Sequence, residues 1–241
     1  MAQALVPLKD LVKAKTRLAG VLSPSERRAL VQAMAEDVLR TLVAHPALQC
    51  VTLLSDDPGA PLLASHVGAQ HLPEADMPRG SLNALLSSAA ASLLTQGQGP
   101  LLILHADLPL LSVADIDAVL AHLPAEDGLL IGPDLAGTGT NLLAFHGPNL
   151  PVFRFGSDSY QAHIAAGGEH GFRVETLKRQ GLGLDVDSVT DLHDLLALLG
   201  DVEGVNQTRS LFQNEGLAAR LPLALSSLTV AEKTNNRESQ I

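Results

Sequence analysis

Two aspartates occupy positions at which α/β proteins commonly hold metal ions. Asp107 follows the apolar run LLILH at residues 101–105, and Asp187 ends the segment GLGLDVD at residues 181–187. A carboxylate at the carboxyl end of a buried strand is well placed to hold Mg2+, which prefers oxygen ligands and bridges readily to phosphates. The alternative for Asp107 is a cap on the turn into a helix that begins near Ser112. We favour the metal role, because Asp107 and Asp187 both stand at the end of an extended segment and before a helix.

A further acid, Asp185, stands two residues before Asp187. We expect only one of the two side chains to face the site. Asp187 is the better candidate, because it precedes a helix cap at Ser188. Asp185 is then either a second ligand or a simple surface acid.

Four basic residues crowd into one segment of an otherwise acidic chain. The stretch VPLKDLVKAKTRLAG at residues 6–20 contains Lys9, Lys13, Lys15 and Arg17, whereas the whole chain has a formal net charge of -10. The segment follows the strand-like run ALVPL, and ligands of open α/β sheets bind outside the carboxyl ends of the strands. The cluster could neutralise much of a triphosphate, and the alternative is a solvated loop. It is not a P-loop, because the GxxxxGK[ST] pattern is absent.

Three loops rich in small residues are candidate ligand contacts. AGTGTN at 136–141 and FGSDSY at 155–160 allow backbone amides to approach an anion, the second at the start of a helix. PRGSLNA at 78–84 adds Asn83, an amide side chain that could read a base or a ribose. The alternative in each case is an ordinary turn or N-cap region.

Composition excludes several other classes of protein. Cys50 is the only cysteine, and the 9 histidines lack zinc-binding spacing, so a disulfide or a zinc centre is not expected. The 2% aromatic content and the pI of about 5.2 argue against a nucleic-acid surface. The chain contains neither an apolar run of membrane-spanning length nor an early signal-peptide pattern. We therefore expect a soluble, cytoplasmic protein with a small anionic ligand.

Apolar runs and helix caps alternate along the chain and predict the elements that position these residues. Capping-box patterns begin helices at Ser23, Ser112 and Ser188, and further helices are expected at 62–67, from Ser81 and from Ser157. The predicted strands are the runs ALVPL, CVTLL, AQHL, LLILH, GLLIG, NLLAF and FRVETL. This order predicts a three-layer α/β sandwich with a mostly parallel sheet. We expect one domain over residues 1–200, and a tail over 201–241 that is helical around 217–228 or disordered.

Taken in order, the motifs VPLK, AKTRLAG, DLP, GTGTN, FGSDS and DVDS resemble the CofC/FbiD family of guanylyltransferases. The resemblance covers about residues 4–200. Members of the family use GTP to activate a small phosphorylated acid during biosynthesis of the deazaflavin coenzyme called factor 420. The resemblance implies a nucleotidyltransferase fold of the GT-A type.

The resemblance assigns the GTP site to two segments. Lys9, Lys15 and Arg17 look like contacts of the GTP phosphates, and Lys15 and Arg17 would act in catalysis by stabilising the departing pyrophosphate. Gly80 and Asn83 look like neighbours of the ribose or the base.

Metal and acceptor contacts are also implied by the resemblance. Asp107 and Asp187 look like ligands of Mg2+, the implied cofactor, and Asp107 counts among the catalytic residues. Thr140, Gly156 and Ser159 look like contacts of the acceptor's carboxylate or phosphate.

The resemblance leaves the acceptor and the partners open. Phosphoenolpyruvate, 3-phospho-D-glycerate and 2-phospho-L-lactate are all used within the family, and we lean towards the first two. The alternatives are another GT-A enzyme, such as a molybdopterin guanylyl- or cytidylyltransferase, and a catalytically silent nucleotide-binding module. The FGSDS loop argues against the former, and the presence of both aspartates argues against the latter. A homodimer and a hand-over of the activated product to the next enzyme also stay open, whereas nucleic-acid and membrane partners are not expected.

Overall fold

A seven-stranded sheet forms the centre of the computed structural model, which describes residues 1–9, 15–78, 80–96, 99–125, 127–201, 204, 206–213 and 217. Its strands are β1 (Ala2–Pro7), β2 (Leu48–Leu54), β3 (Gln70–Leu72), β4 (Pro100–Leu104), β5 (Gly128–Pro133), β6 (Thr140–His146) and β7 (Arg173–Thr176). Their order across the sheet is β3-β2-β1-β4-β6-β5-β7. Every neighbouring pair is parallel except the two pairs that involve β6.

Helices cover both faces of this sheet. They are α1 (Pro24–Ala44), α2 (Ala60–Val67), α3 (Leu82–Gln96), α4 (Val113–His122), α5 (Ser159–Glu169), α6 (Gln180–Gly183), α7 (Val189–Leu198) and α8 (Gln207–Gln213). None of the helices in the described part of the chain combines the length and the apolar character that a membrane crossing requires.

The central strands are apolar on both faces because each face meets a layer of helices. Along β4, Leu102 and Leu104 belong to the core cluster that contains α1, α4 and α7, whereas Leu101 and Ile103 belong to the cluster with α3. Continuous apolar runs of this kind are typical of buried parallel strands. The predicted three-layer sandwich with a mostly parallel sheet is confirmed.

Three helices begin as the local sequence predicts. Ser23, Ser112 and Ser188 each accept a hydrogen bond from the backbone N–H three residues on, and the acid at that third position accepts from the serine N–H. Such a cap satisfies donors that the first turn leaves open and stabilises a helix by about 1 kcal/mol. The cap at Ser188 fixes the start of α7 directly after Asp187.

Three local features were either not specified by the sequence-based prediction or placed elsewhere by it. Strand β6 runs antiparallel, because only residues 134–139 separate it from β5, and a parallel return needs a crossover of about a dozen residues or more. Helix α5 begins at Ser159 rather than Ser157, since Asp158 has a left-handed backbone with φ 52. The short helix α6 was not predicted.

Helix α8 ties the start of the predicted tail to the domain. The Asp37 carboxylate on α1 accepts from the backbone N–H of Gln207 at 2.7 Å and of Thr208 at 2.9 Å, which caps the first turn of α8. Phe212 is buried in the core. Apart from Leu217, the predicted helix at 217–228 lies outside the described residues.

Candidate active site

Three separate segments of the chain meet at the carboxyl edge of β1 and β4. These strands are parallel neighbours, with Leu5 paired to Ile103, so the segments that follow them leave the sheet side by side. The segment after β1 carries Lys15, and the segment after β4 carries Asp107. Asp187 arrives from the segment that precedes α7. The structure thus brings together the predicted catalytic lysine and both predicted metal ligands.

The ammonium group of Lys15 lies between the two carboxylates. Its Nζ donates to Asp187 Oδ1 at 2.5 Å and also donates to Asp107 Oδ2. The Lys15 side chain is 7% exposed, against 21% for Asp107 and 54% for Asp187. Because the lysine and one of the acids are mostly shielded from water, their charges are screened less than those of a surface pair.

The charges of this site hold one another in their ionised forms. Burial alone lowers the pKa of Lys15, but the carboxylates of Asp107 and Asp187 outweigh it and raise that pKa above its ordinary value. Burial likewise raises the pKa of Asp107, but Lys15, with a smaller effect from His105, outweighs it and brings that pKa below its ordinary value. At neutral pH Lys15 is therefore a cation and Asp107 an anion.

The donor set of this site fits a magnesium ion shared with phosphates. Asp107 Oδ1 is buried and has no hydrogen-bond partner among the described residues. Within the same part of the chain, no group of three or more His, Cys, Asp or Glu side chains is arranged to hold a metal by itself. Mg2+ commonly takes one or two carboxylates, with waters and substrate phosphates completing its shell. Asp107 and Asp187 would form such a partial shell.

Asp185 also lies near this site, so the expectation that only one of the two acids faces it is wrong. Burial, Asp107 and Asp187 all raise the pKa of Asp185, while a hydrogen bond from Asn141 Nδ2 at 3.1 Å acts against them. Side chains two residues apart in an extended segment share a face, which is why both carboxyls approach Asp107. Asp185 is therefore the site's third carboxyl, partly held by β6.

The other described basic residues of the N-terminal segment are Lys9 and Arg17. Lys9 is exposed and acts electrostatically on Glu74. Arg17 is exposed on the short 3-10 turn that directly follows Lys15. Lys13 lies outside the described residues.

The predicted acceptor residues gather at the start of α5. Thr140 is 1% exposed and Ser159 is 3% exposed, whereas Gly156 lies on the exposed loop before α5 with φ 142, a backbone conformation that requires glycine. The backbone N–H of Tyr160 donates to the Thr138 carbonyl at 3.0 Å and so joins the β5–β6 loop to α5.

A buried histidine that the sequence did not single out connects these acceptor residues. His163 Nε2 accepts from the Arg154 N–H at 2.9 Å, so the ring hydrogen sits on Nδ1, which faces Thr140 Oγ1 at 3.0 Å. Burial lowers the pKa of His163 to about 4, and the ring is neutral at physiological pH. Its position four residues after Ser159 puts it on the same face of α5, and that spacing was the available signal.

The predicted nucleoside loop at residues 78–84 contacts Phe155, directly before the predicted acceptor contact Gly156. Asn83 Nδ2 donates to the Phe155 carbonyl at 3.1 Å, and Asn83 Oδ1 accepts from the Phe155 N–H at 2.8 Å. Gly80 is exposed, and a Cβ there would lie 2.9 Å from that of Ala84, so the close approach favours glycine. Arg79 lies outside the described residues.

Proteins of known fold share this architecture. A protein from Desulfovibrio desulfuricans, described as a nucleotide-diphospho-sugar transferase, superposes with a TM-score of 0.76 over 92% of this chain and 97% of its own, at 19% identity. A cytidylyltransferase from Leptospira borgpetersenii gives a TM-score of 0.55 over 89% of this chain and 97% of its own, at 14% identity. The fold is therefore that of the nucleotidyltransferases.

Sequence comparison is more specific. The family model for CofC-like guanylyl transferases matches residues 2–212. A phosphoenolpyruvate guanylyltransferase from Sphaerobacter thermophilus is 38% identical over 80% of this chain and 91% of its own length. Another from Nocardia farcinica is 36% identical over 90% of this chain and 93% of its own length. The chain therefore belongs to the CofC-like guanylyl transferase family and is an enzyme of the nucleotidyltransferase class.

Proposed function

We propose that this enzyme transfers GMP from GTP to a phosphorylated three-carbon acid and releases pyrophosphate, in biosynthesis of factor 420 or a derivative. Phosphoenolpyruvate is the favoured acceptor, ahead of 3-phospho-D-glycerate and 2-phospho-L-lactate. The observation that carries the proposal is the identity of 36–38% to phosphoenolpyruvate guanylyltransferases across most of the chain. The cluster of Lys15, Asp107 and Asp187 supports it, since it offers charges of both signs for phosphates and a metal.

The reaction needs alignment and charge neutralisation rather than a protein base. An acceptor phosphate is already an oxyanion near neutral pH, and one of its oxygens attacks the α-phosphorus of GTP. The bond from that phosphorus to the α,β-bridging oxygen breaks, and the electron pair leaves with pyrophosphate. Transfers of this kind are accelerated chiefly by positioning and electrostatic stabilisation.

The basic residues near β1 supply the positive charge in this scheme. Lys15 stabilises the pyrophosphate as negative charge collects on it, with Arg17 beside it and Lys9 at the outer phosphates. Gly80 and Asn83 lie at the nucleoside. Asp107 and Asp187 would hold Mg2+, which when bound neutralises phosphate oxygens and brings donor and acceptor together.

The acceptor lies near the first turn of α5 in this proposal. Thr140 and Ser159 stand at its inner side, and Gly156 presents its backbone at the outer side. The N-terminus of a helix attracts anions because its first N–H groups lack partners within the helix. Dimerisation, product hand-over and a cytoplasmic site of action stay predictions.

Pyrophosphate release tests the proposal directly. The purified protein is incubated with GTP, Mg2+ and each of the three acids in turn, and the guanylylated product is identified by mass spectrometry. We expect release with phosphoenolpyruvate and little with CTP in place of GTP. Absence of product with all three acids would refute the proposal.

A further inference from the structure

Asn83 makes a two-way hydrogen-bonded contact with the backbone of the acceptor loop, which we define as residues 154–159. Its amide donates to the Phe155 carbonyl and its oxygen accepts from the Phe155 N–H, at 3.1 and 2.8 Å. The two residues are 72 positions apart, so this contact joins the first turn of α3 to the entry of α5. One side chain thus satisfies both polar groups of a single loop residue.

His163 holds the same loop from the other side. Its Nε2 accepts from the Arg154 N–H, the amide directly before that of Phe155, at 2.9 Å. Its ring meets the Phe155 ring edge-on, with centroids 4.8 Å apart. Two consecutive loop amides are therefore fixed by side chains from different helices, and Gly156 with its positive φ follows at once.

The clamped loop also touches the strand end that carries Asp107. The ring of Phe155 packs against His105, with centroids 5.5 Å apart. A shift of Phe155 would therefore displace both Gly156, on the proposed acceptor side, and His105, which lies two residues before Asp107. Interiors that are this closely packed transmit such displacements instead of absorbing them.

We propose that Asn83 is a positioning residue for the acceptor, which acts by clamping Phe155 and thereby setting the acceptor loop. The proposal rests on the proposed function, because it takes residues 156–159 as the acceptor contacts. Asn83 uses one lone pair of its oxygen and one of its two N–H groups on Phe155, which leaves one N–H and one lone pair for any contact with the nucleoside. Removal of the Asn83 side chain therefore weakens acceptor binding more than GTP binding.

Steady-state kinetics with Asn83→Ala and a matched control test this proposal. Ser87→Ala serves as the control, since its hydroxyl lies one turn further along α3 and donates only within the helix, to the Asn83 carbonyl at 2.8 Å. With two hydrogen bonds to Phe155 lost, we expect the KM for phosphoenolpyruvate to rise about tenfold in Asn83→Ala, with a clearly smaller rise in the KM for GTP. Ser87→Ala should match the wild type in both.

Hydrogen–deuterium exchange of the acceptor loop gives a second readout that needs no substrate. We expect the amides of Arg154 and Phe155 to exchange faster in Asn83→Ala than in the wild type or in Ser87→Ala, with the peptides of α4 unchanged. Wild-type turnover with the three acids tests the proposed function separately, and loop exchange tests the clamp. Unchanged loop exchange, or a rise in the KM for GTP without a rise in that for the acceptor, would overturn the proposal.

Discussion

Lys15 and Asp187 are 172 positions apart in the sequence, and yet their charged atoms lie 2.5 Å apart at the carboxyl edge of the sheet. Asp107 completes the contact from a third segment. The lysine therefore occupies the space between the two acids that are proposed to hold a cation, and it can neutralise them until substrate phosphates arrive.

Replacement of Lys15 by methionine removes the charge and keeps most of the side chain's length. We expect kcat to fall at least about a hundredfold, because a preorganised cation next to the leaving pyrophosphate is lost. The measurement is pyrophosphate release at saturating GTP and phosphoenolpyruvate. Lys178→Met, at an exposed lysine after β7, is the control and should keep wild-type turnover. Turnover of Lys15→Met within about twofold of the wild type would remove Lys15 from the mechanism.

The same substitution should change metal binding in the absence of nucleotide. The Lys15 ammonium occupies one oxygen of each of Asp107 and Asp187, so a cation has to compete with it. We expect Lys15→Met to bind Mn2+, followed by electron paramagnetic resonance, about tenfold more tightly than the wild type. Asp107→Asn should abolish this binding, whereas Asp117→Asn, at a carboxylate that is 70% exposed on α4, should not affect it. Equal Mn2+ affinity of Lys15→Met and Asp107→Asn would contradict this account.

His163 should make the stability of the fold depend on pH. Burial lowers its pKa to about 4 from an ordinary value of 6.5, so between these values the unfolded chain binds a proton that the folded chain does not. Stability from the neutral ring is present above pH 6.5 and is lost as the pH falls towards 4. We expect this residue to lower the free energy of unfolding by about 2 kcal/mol between pH 7 and pH 5.

Urea unfolding at the two pH values measures this contribution. His163→Gln should show a smaller loss between pH 7 and pH 5 than the wild type, even if it is less stable at both. His122→Gln, at an exposed histidine of α4, should lose as much as the wild type. An identical pH dependence in wild type and His163→Gln would show that His163 does not carry the effect.

Asp37 should determine whether α8 stays on the domain. Its carboxylate accepts from two backbone N–H groups of the first turn of α8. We expect Asp37→Ala to lower the free energy of unfolding by about 1–3 kcal/mol, because buried donors lose their partner. Limited proteolysis should also cut near α8 faster than in the wild type or in Asp117→Ala. Unaltered proteolysis together with unaltered stability would argue against this capping role.

Features set by neighbouring residues could be predicted from the sequence. The capping box of Ser188 and Asp191 lies within four consecutive residues, and the apolar run around Ile103 indicates a buried strand by itself. The helix start at Ser188 and the central strand β4 are both confirmed. The sequence could predict that Lys15 and the two distant aspartates lie at the same edge of the sheet. It could not predict their direct contact, since no local pattern encodes it.

Features that depend on tertiary packing were missed. The contact of Asn83 with Phe155 crosses 72 positions and has no local signal, whereas the place of Asn83 near the nucleoside stays a prediction. For His163 the spacing from Ser159 indicates only a shared helix face, and its neutral state comes from burial that only the fold creates. The prediction of a mostly parallel sheet left the direction of β6 open, although the short segment 134–139 favours a hairpin over a parallel crossover.

In the proposed assignment of the site, that antiparallel strand lies on the acceptor side of the sheet edge and the neighbouring strands on the GTP side. The ends of β1 and β4 lead to the triphosphate side, whereas the hairpin of β5 and β6 brings the start of a strand, with Thr140, to the same edge. A hairpin loop can change in length and sequence without moving the strands beyond it. If Thr140 contacts the acceptor as proposed, residues 134–139 can change the preference for one phosphorylated acid over another in evolution without altering the proposed GTP site.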